Sequence, residues 1–217
     1  MIITKPKDHQ ELLRMLEGVE RLFITGCSEC ATVCGTGGEK EVQETRTLLE
    51  EEGKVVTGTI VLEPACHLLN DKRLLKAHKE ALENSDAVLC LACGNGVQTV
   101  AKASGIRSIP GLDTVFLGQI ERQGHFSENC AMCGKCLLGE FASFCPIALC
   151  PKRMLNGPCG GSKEGKCEVD ENLDCVWCNI HDAFEEQGAL EVLERIVEAK
   201  DWSLGQGSRP KRIGGSK

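Results

Sequence analysis

The residues of this chain best suited to chemistry are its cysteines, and nine of the fifteen fall between Cys130 and Cys178. That stretch reads CAMCGKCLLGEFASFCPIALCPKRMLNGPCGGSKEGKCEVDENLDCVWC. Large apolar residues are sparse among its thiols, so hydrophobic burial alone does not hold it together, and the sulfurs are expected to bind something. Cys130, Cys133 and Cys136 have the C-x2-C-x2-C spacing of iron–sulfur ligation, in which a short turn aims three thiolates at three irons of one cube. Cys145 is followed directly by Pro146, like the fourth cysteine of bacterial ferredoxin runs, but after a gap of eight residues instead of three.

The remaining six cysteines belong to a stretch with a different rhythm. Residues 8–19 carry Leu12, Leu13, Met15, Leu16 and Val19 near helical spacing, and Arg21 to Gly26 is a short apolar run that reads as a buried strand. A charged helix is expected over 39–52, capped by Gly53, then a strand over 55–62 stopped by Pro64. A helix over 71–82, a strand over 87–92, a helix near 97–103 and a short strand near 106–109 follow. Strands alternating with helices at this spacing predict right-handed βαβ units around a small parallel sheet, an α/β domain.

That architecture makes its own prediction. Ligands of open α/β sheets collect at the carboxyl ends of the strands. Cys27, Cys30 and Cys34 follow the first strand in a C-x2-C-x3-C turn, Cys66 follows the second and Cys93 the third. Five thiols are thus expected at one edge of the sheet, four of which suffice for a cubane, with the spare one undetermined. Cys90, within a strand, reads as a small buried residue. The glycines of Gly35-Thr36-Gly37-Gly38 and Gly94-Asn95-Gly96 complete neither a dinucleotide fingerprint nor a P-loop, and are expected to serve tight turns.

Three regions result: an α/β domain over 1–112 with one cysteine metal site, an irregular cysteine-rich metal-binding domain over 113–200, and a flexible tail over 201–217 carrying Arg209, Lys211, Arg212 and Lys217. Residues 112–129 read as an extended connector. An amphipathic helix is expected over 183–199, burying Leu190, Leu193, Ile196 and Val197. With Tyr absent and 24 glycines, the fold is expected to lean on bound metal. A net charge of −7 argues against nucleic acid or an anionic membrane as the main partner. The N-terminus lacks the apolar core of a signal peptide, and no stretch is long enough for a membrane span. An odd number of thiols in tight turns fits a reducing cytoplasm better than a disulfide framework.

The run GEFASFCPIALCPKRMLNGPCGGSKEGKCEVDENLDCVW resembles the cysteine-rich C-terminal module of methylenetetrahydrofolate reductases. CSECATVCGTGGEKEV, LEPACHL and ACGNGVQ resemble the rest of the small MetV-type subunit of acetogens and related anaerobes, so the similarity spans about residues 21–199. The resemblance implies a subunit without its own folate site. Catalysis is then carried by a partner, a flavin-containing (β/α)8 barrel that reduces methylene-tetrahydrofolate to methyl-tetrahydrofolate, with further electron-transfer subunits as additional partners. A barrel of about 250 residues does not fit in this chain. The implied ligands are Cys27, Cys30, Cys34, Cys66 and Cys93, then Cys130, Cys133, Cys136, Cys145, Cys150, Cys159, Cys167 and Cys175. Cys90 and Cys178 fall outside the pattern.

Cysteine triplets with almost no histidine nearby favour [4Fe-4S] clusters over zinc at the Cys27 and Cys130 groups, giving two clusters, or three if the last group also holds one. The wide spacings of Cys150, Cys159, Cys167 and Cys175 leave zinc and iron–sulfur open. Three functions compete: an electron-transfer subunit feeding a flavin, a structural zinc module that docks and stabilises the catalytic subunit, and an independent enzyme using a cluster iron as Lewis acid. The first is favoured. His67 is expected to act beside Cys66 without ligating, and His125 and His181 to be structural.

Overall fold

The computed structural model describes residues 1–205, which divide into two compact units separated between Ser127 and Glu128. In the first, the elements run β1 (Ile2–Pro6), α1 (His9–Met15), β2 (Arg21–Cys27), α2 (Cys30–Val33), α3 (Glu39–Glu51), β3 (Val55–Leu62), α4 (Leu68–Leu75), α5 (Lys79–Glu83), β4 (Ala87–Cys90), α6 (Gly94–Ser104), β5 (Ser108–Pro110), β6 (Leu112–Arg122) and β7 (His125–Glu128). The expected parallel sheet is present, in the order β3-β2-β4-β5. Leu22, Phe23, Ile24, Val88 and Leu89 are fully buried in its centre, against Val42 and Leu49 of α3 and Val100 of α6. The chain passes from β2 outward to β3, then crosses back over β2 to β4 and on to β5, so a topological switch point lies between the carboxyl ends of β2 and β4.

Several elements differ from the sequence expectation. The helix expected over 71–82 starts earlier, at Leu68, because His67 caps it, with Nδ1 accepting the Asn70 N–H at 3.2 Å. It is then broken by a 3-10 turn at Lys76–His78, where the His78 ring packs edge-on against Phe23 at 5.6 Å. Residues 112–129 are extended, but as β6 and β7 they form a three-stranded sheet in the order β1-β6-β7. Backbone pairing with the N-terminal residues Ile2 to Pro6, a strand with no local signal strong enough to announce it, turns the connector into a built element.

Most of the second unit lacks regular structure. It holds two helices, α7 (Pro146–Leu149) and α8 (Val176–Glu186), and 3-10 turns at Leu138–Glu140, Leu190–Glu194 and Trp202–Leu204. Val176, Trp177, Ile180 and Phe184 of α8 bury against Leu137, Phe141 and Cys150. Trp177 meets Phe141 edge to face at 5.6 Å and donates Nε1–H to the Met154 carbonyl at 3.1 Å, so its one polar atom is satisfied. The helix expected over 183–199 is corrected by this arrangement. α8 ends at Glu186, and Gly188, at φ +64°, turns the chain into the left-handed region that stops a helix. Ile196, expected to be buried, is 86% exposed, and Leu190 is exposed as well. The tail cations Arg209, Lys211, Arg212 and Lys217 lie outside the described residues.

The loop from Cys27 to Gly38 folds back onto the end of β2, with Cys27 N–H donating to the Gly37 carbonyl at 2.8 Å. A Cβ on Gly37 would sit 2.1 Å from the Leu91 carbonyl oxygen, which no side-chain adjustment relieves. Its glycine is therefore explained by close backbone approach beneath the cysteine turn. Gly37→Ala is expected to cost about 2 kcal/mol or more of stability, the range of strain forced into a packed core. Gly94→Ala, whose new methyl would meet only the Thr114 hydroxyl at 3.6 Å, should be near neutral. Urea denaturation of the two variants checks the contrast.

Candidate metal centres

The first group forms where the topology places it. Cys27 ends β2, Cys30 opens α2, Cys66 precedes the His67 cap of α4, and Cys93 is the N-cap residue of α6. Burial pushes the Cys66 thiol up from its ordinary pKa, and the neighbouring Cys27, Cys93 and Cys30 push it further in the same direction. These four sulfurs therefore lie within one another's electrostatic reach. Cys34 is not among the sulfurs that act on Cys66: its thiol donates to the Ile2 carbonyl at 3.8 Å, while the Ile2 N–H donates to Cys30 Sγ at 3.4 Å. Strand β1, which sequence reasoning missed, thus supplies a backbone donor to one sulfur of the group. A thiol whose ionisation burial and three neighbouring sulfurs oppose suits a positive group, which supplies the charge it lacks.

Directly behind this group the layer between the sheet and α4 is polar. Asp71, in the first turn of α4, is fully buried, and neither carboxylate oxygen has a hydrogen-bond partner. The Thr25 hydroxyl of β2 is likewise buried and unpartnered. Thr25 pairs in register with Cys90 of β4, so both face the same side of the sheet. Burial pushes Cys90 up to about 11, against the pull of the Thr25 and Ser108 hydroxyls, and Asp71 pushes it further up. Asp71 itself is pushed up to about 6 by burial, with His67 acting in the opposite sense. Cys90 is thus the buried, unreactive thiol its position in a strand predicts. A sequence signal for Asp71 did exist: it lies on the helical stripe Asp71–Leu75–His78–Leu82, an acid on the face that packs inward.

In the second unit the Cys130 triplet makes local contacts. Met132 N–H donates to Cys130 Sγ at 3.4 Å, and the Cys133 thiol donates to the Lys135 carbonyl at 3.6 Å. Cys145 is the N-cap residue of α7, with Pro146 in its first turn. All five non-glycine residues with positive φ among the described residues, Met132, Ala142, Ser143, Arg153 and Glu164, lie in this unit, between or beside its cysteines. Such backbone costs on the order of 1 kcal/mol each and persists where the surroundings over-determine it. Cys150, Cys159, Cys167 and Cys175, the four of widest spacing, line one small cavity of about 20 Å³ together with Lys152, Glu168 and Trp177. The Gly161 N–H and then the Lys152 ammonium hold the Cys159 thiol below its ordinary pKa. The four sulfurs share this small space, although no three of them lie within 4.8 Å of one another. Cys178 does not line this cavity. Its thiol faces Ser162 Oγ at 3.7 Å, whose pull downward is outweighed by burial and by the adjacent Cys175. Among the described residues, the one set of three ligand-type side chains with ligand atoms within 4.8 Å of one another is His181, Asp182 and Glu185, all exposed on α8.

Residues 109–203 match the family described as methylene-tetrahydrofolate reductase C terminal. Over these residues the chain is similar to the methylene-tetrahydrofolate reductase C-terminal domain. The resemblance carried by NGPCGG and GKCEVD is borne out over these residues and links the chain to methylenetetrahydrofolate reductase. No curated protein matches the sequence. Two crystal structures of arylmalonate decarboxylase, one of them unliganded, are similar over 47% of this chain at 20% and 21% identity, with TM-scores of 0.31 and 0.32. The chain spans under half the length of each, 44% and 46%, and so weak a likeness carries no argument.

Within the matched segment, sequence reasoning named all four cysteines of the small cavity but missed its ionic frame. Lys152 pairs with Glu168, and Glu168 also accepts from the Cys159 thiol at 3.6 Å. The signal was available only as residues flanking cysteines, Pro-Lys-Arg after Cys150 and Glu after Cys167, which many surface loops share. Among the described residues no helix is long and apolar enough to cross a membrane.

The Asp71 carboxyl gives a stability signature with a definite sign. Its folded pKa, about 6, lies above the ordinary 3.8, so the native state holds the proton more tightly than the unfolded chain. Below about pH 4 both states are protonated and Asp71 costs nothing. Stability falls as pH rises through the window to about 6, by about 3 kcal/mol for a shift of this size. Asp71→Asn should therefore raise the melting temperature at pH 7.5, and its advantage should shrink steadily between pH 6.5 and 4.5. Thermal melts of both proteins across that range check the sign.

Proposed function

We propose that this chain is the iron–sulfur electron-transfer subunit of a methylenetetrahydrofolate reductase complex, and that it feeds a flavin-containing barrel subunit that reduces methylene-tetrahydrofolate to methyl-tetrahydrofolate. The observation that carries the reading is the delivery of Cys27, Cys30, Cys66 and Cys93 to the switch point of the sheet, in a chain whose C-terminal segment is similar to a reductase domain. These four hold one [4Fe-4S] cluster, and Cys34, turned toward Ile2, is the spare thiol. Cys130, Cys133, Cys136 and Cys145 hold a second, on the strength of their spacing.

Bound iron–sulfur clusters supply one-electron uptake and release, at a potential set by charge, exposure and hydrogen bonds to sulfur. The chain's own contribution is visible in two of those bonds. The Ile2 N–H on Cys30 and the Met132 N–H on Cys130 both favour more negative charge on sulfur, and so ease electron uptake. The partners on this reading are the flavoprotein barrel and the subunits that supply its electrons, in a reducing cytoplasm.

The zinc reading is favoured at one group only. A cavity of about 20 Å³ among Cys150, Cys159, Cys167 and Cys175 suits one ion and not a cube of eight atoms. We assign that group a structural zinc, which anchors the loops around α8.

Anaerobically purified protein is expected to be brown, with about eight irons and one zinc per chain, and to give an EPR signal on reduction. Cys66→Ser should remove about four irons while Cys34→Ser retains them all. Cys159→Ala should lose the zinc and leave the iron. Iron-free protein, with its cysteine groups empty or filled by zinc, sinks the electron-transfer reading. A pull-down of the native chain should bring with it a flavoprotein of barrel size.

A further inference from the structure

The polar layer behind the first cysteine group has no part in holding metal, yet it is built into the core. Asp71 is fully buried, and neither of its oxygens is hydrogen-bonded. The unpartnered Thr25 hydroxyl belongs to β2 two residues before Cys27, and Cys90, its register partner, belongs to β4 three residues before Cys93. Asp71 itself lies in the first turn of α4, whose cap residue His67 directly follows Cys66. The acid therefore shares one interior layer with three of the four sulfur-bearing chain segments.

An unpaired buried carboxylate is costly, and the same group as a neutral acid is tolerated. The ionisable groups around it do little to change that. On its own helix, His67 precedes it by one turn, and Lys72 and Arg73 are exposed. From β4 it faces Cys90, a neutral thiol, and α6, which packs against α4, brings only the exposed Lys102. Among the described residues no fixed cation anchors the charge of Asp71, so that charge is free to follow the charge of the nearby site.

We infer that Asp71 is the proton-accepting partner of the first redox site, taking up one proton for an electron gained there and releasing it when the electron leaves. The step balances. A one-electron donor reduces the site by one electron, a proton from solvent forms the O–H bond on an Asp71 carboxylate oxygen, and oxidation reverses both. Added negative charge at the sulfurs would raise the proton affinity of a buried carboxyl on the adjoining face of the sheet, where little solvent screens it, and the bound proton would in turn make electron uptake easier. This inference rests on the iron–sulfur reading of the Cys27, Cys30, Cys66 and Cys93 group.

The test is an EPR-monitored redox titration of the intact, anaerobically purified chain between pH 5.5 and 9. The wild-type midpoint potential should fall with rising pH across part of this range. Where coupling is complete, each tenfold drop in proton concentration corresponds to about 59 mV for one electron. Asp71→Asn, which keeps the shape of the neutral acid, should abolish that slope, while Cys90→Ala should retain it. An unchanged slope in Asp71→Asn, or its loss in Cys90→Ala, overturns the assignment, whereas iron-free protein overturns the underlying reading and this role with it. Infrared spectroscopy gives a readout independent of the metal. At pH 5 the wild type should show the carbonyl stretch of a buried protonated carboxylic acid that Asp71→Asn lacks, and absence of that band also overturns the proposal.

Discussion

Thiolates repel one another, and a protein that gathers four of them needs both a rigid means of delivery and a positive group to receive them. In the first unit the means is the parallel sheet. Its strands end together, so a cysteine placed just beyond each end arrives at one edge without long-range contacts of its own. The upward push on the Cys66 thiol, from burial first and then from Cys27, Cys93 and Cys30, is the electrostatic trace of that gathering. The close approach of Gly37 to Leu91 and the return of the Cys27–Gly38 loop onto β2 follow from it, since the turn has to present its sulfurs while still satisfying its backbone.

The second unit solves the same problem without a sheet. Its apolar core is one helix face and a few aromatic neighbours, centred on Trp177. The rest of its backbone runs in turns, several with side-chain-bearing residues in the left-handed region. On the proposed reading, a unit so short of apolar contacts would gain stability from the metal its sulfurs bind, which would couple metal content to folding. Its four most widely spaced cysteines, Cys150, Cys159, Cys167 and Cys175, line one small cavity framed by the Lys152–Glu168 pair.

The interior behind the first group shows how one architecture can serve a second purpose. The face of the sheet that ends in Cys27 also carries Thr25 and Cys90, and α4, begun by the residues after Cys66, turns Asp71 onto that face. A buried acid there is a liability for stability and an asset for a site whose charge changes. Natural proteins tend to keep unsatisfied polar groups in places where function repays their cost.

Much of this was legible in the residues alone. The alternation of apolar runs and amphipathic segments determined the parallel sheet, and the position of Cys27, Cys66 and Cys93 after successive strands determined where those sulfurs meet, because both follow from local periodicity and a general rule of chain topology. The motifs around Cys159 and Cys167 likewise carried the reductase resemblance. Other features depended on partners distant in sequence. β1 exists because β6 pairs with it, Cys34 is set apart by a contact with Ile2, and the expected helix over 183–199 yields at Gly188 to an α8 anchored by Trp177. Asp71 lies on the inward stripe of its helix, but only tertiary packing shows that it is fully buried with no hydrogen-bond partner on either oxygen. Local pattern determines which elements form and which residues lead out of them. Only the packed chain decides which side chains lose their water, and that loss of solvation is what sets Asp71 and Cys90 apart from the exposed acids and thiols of the same chain.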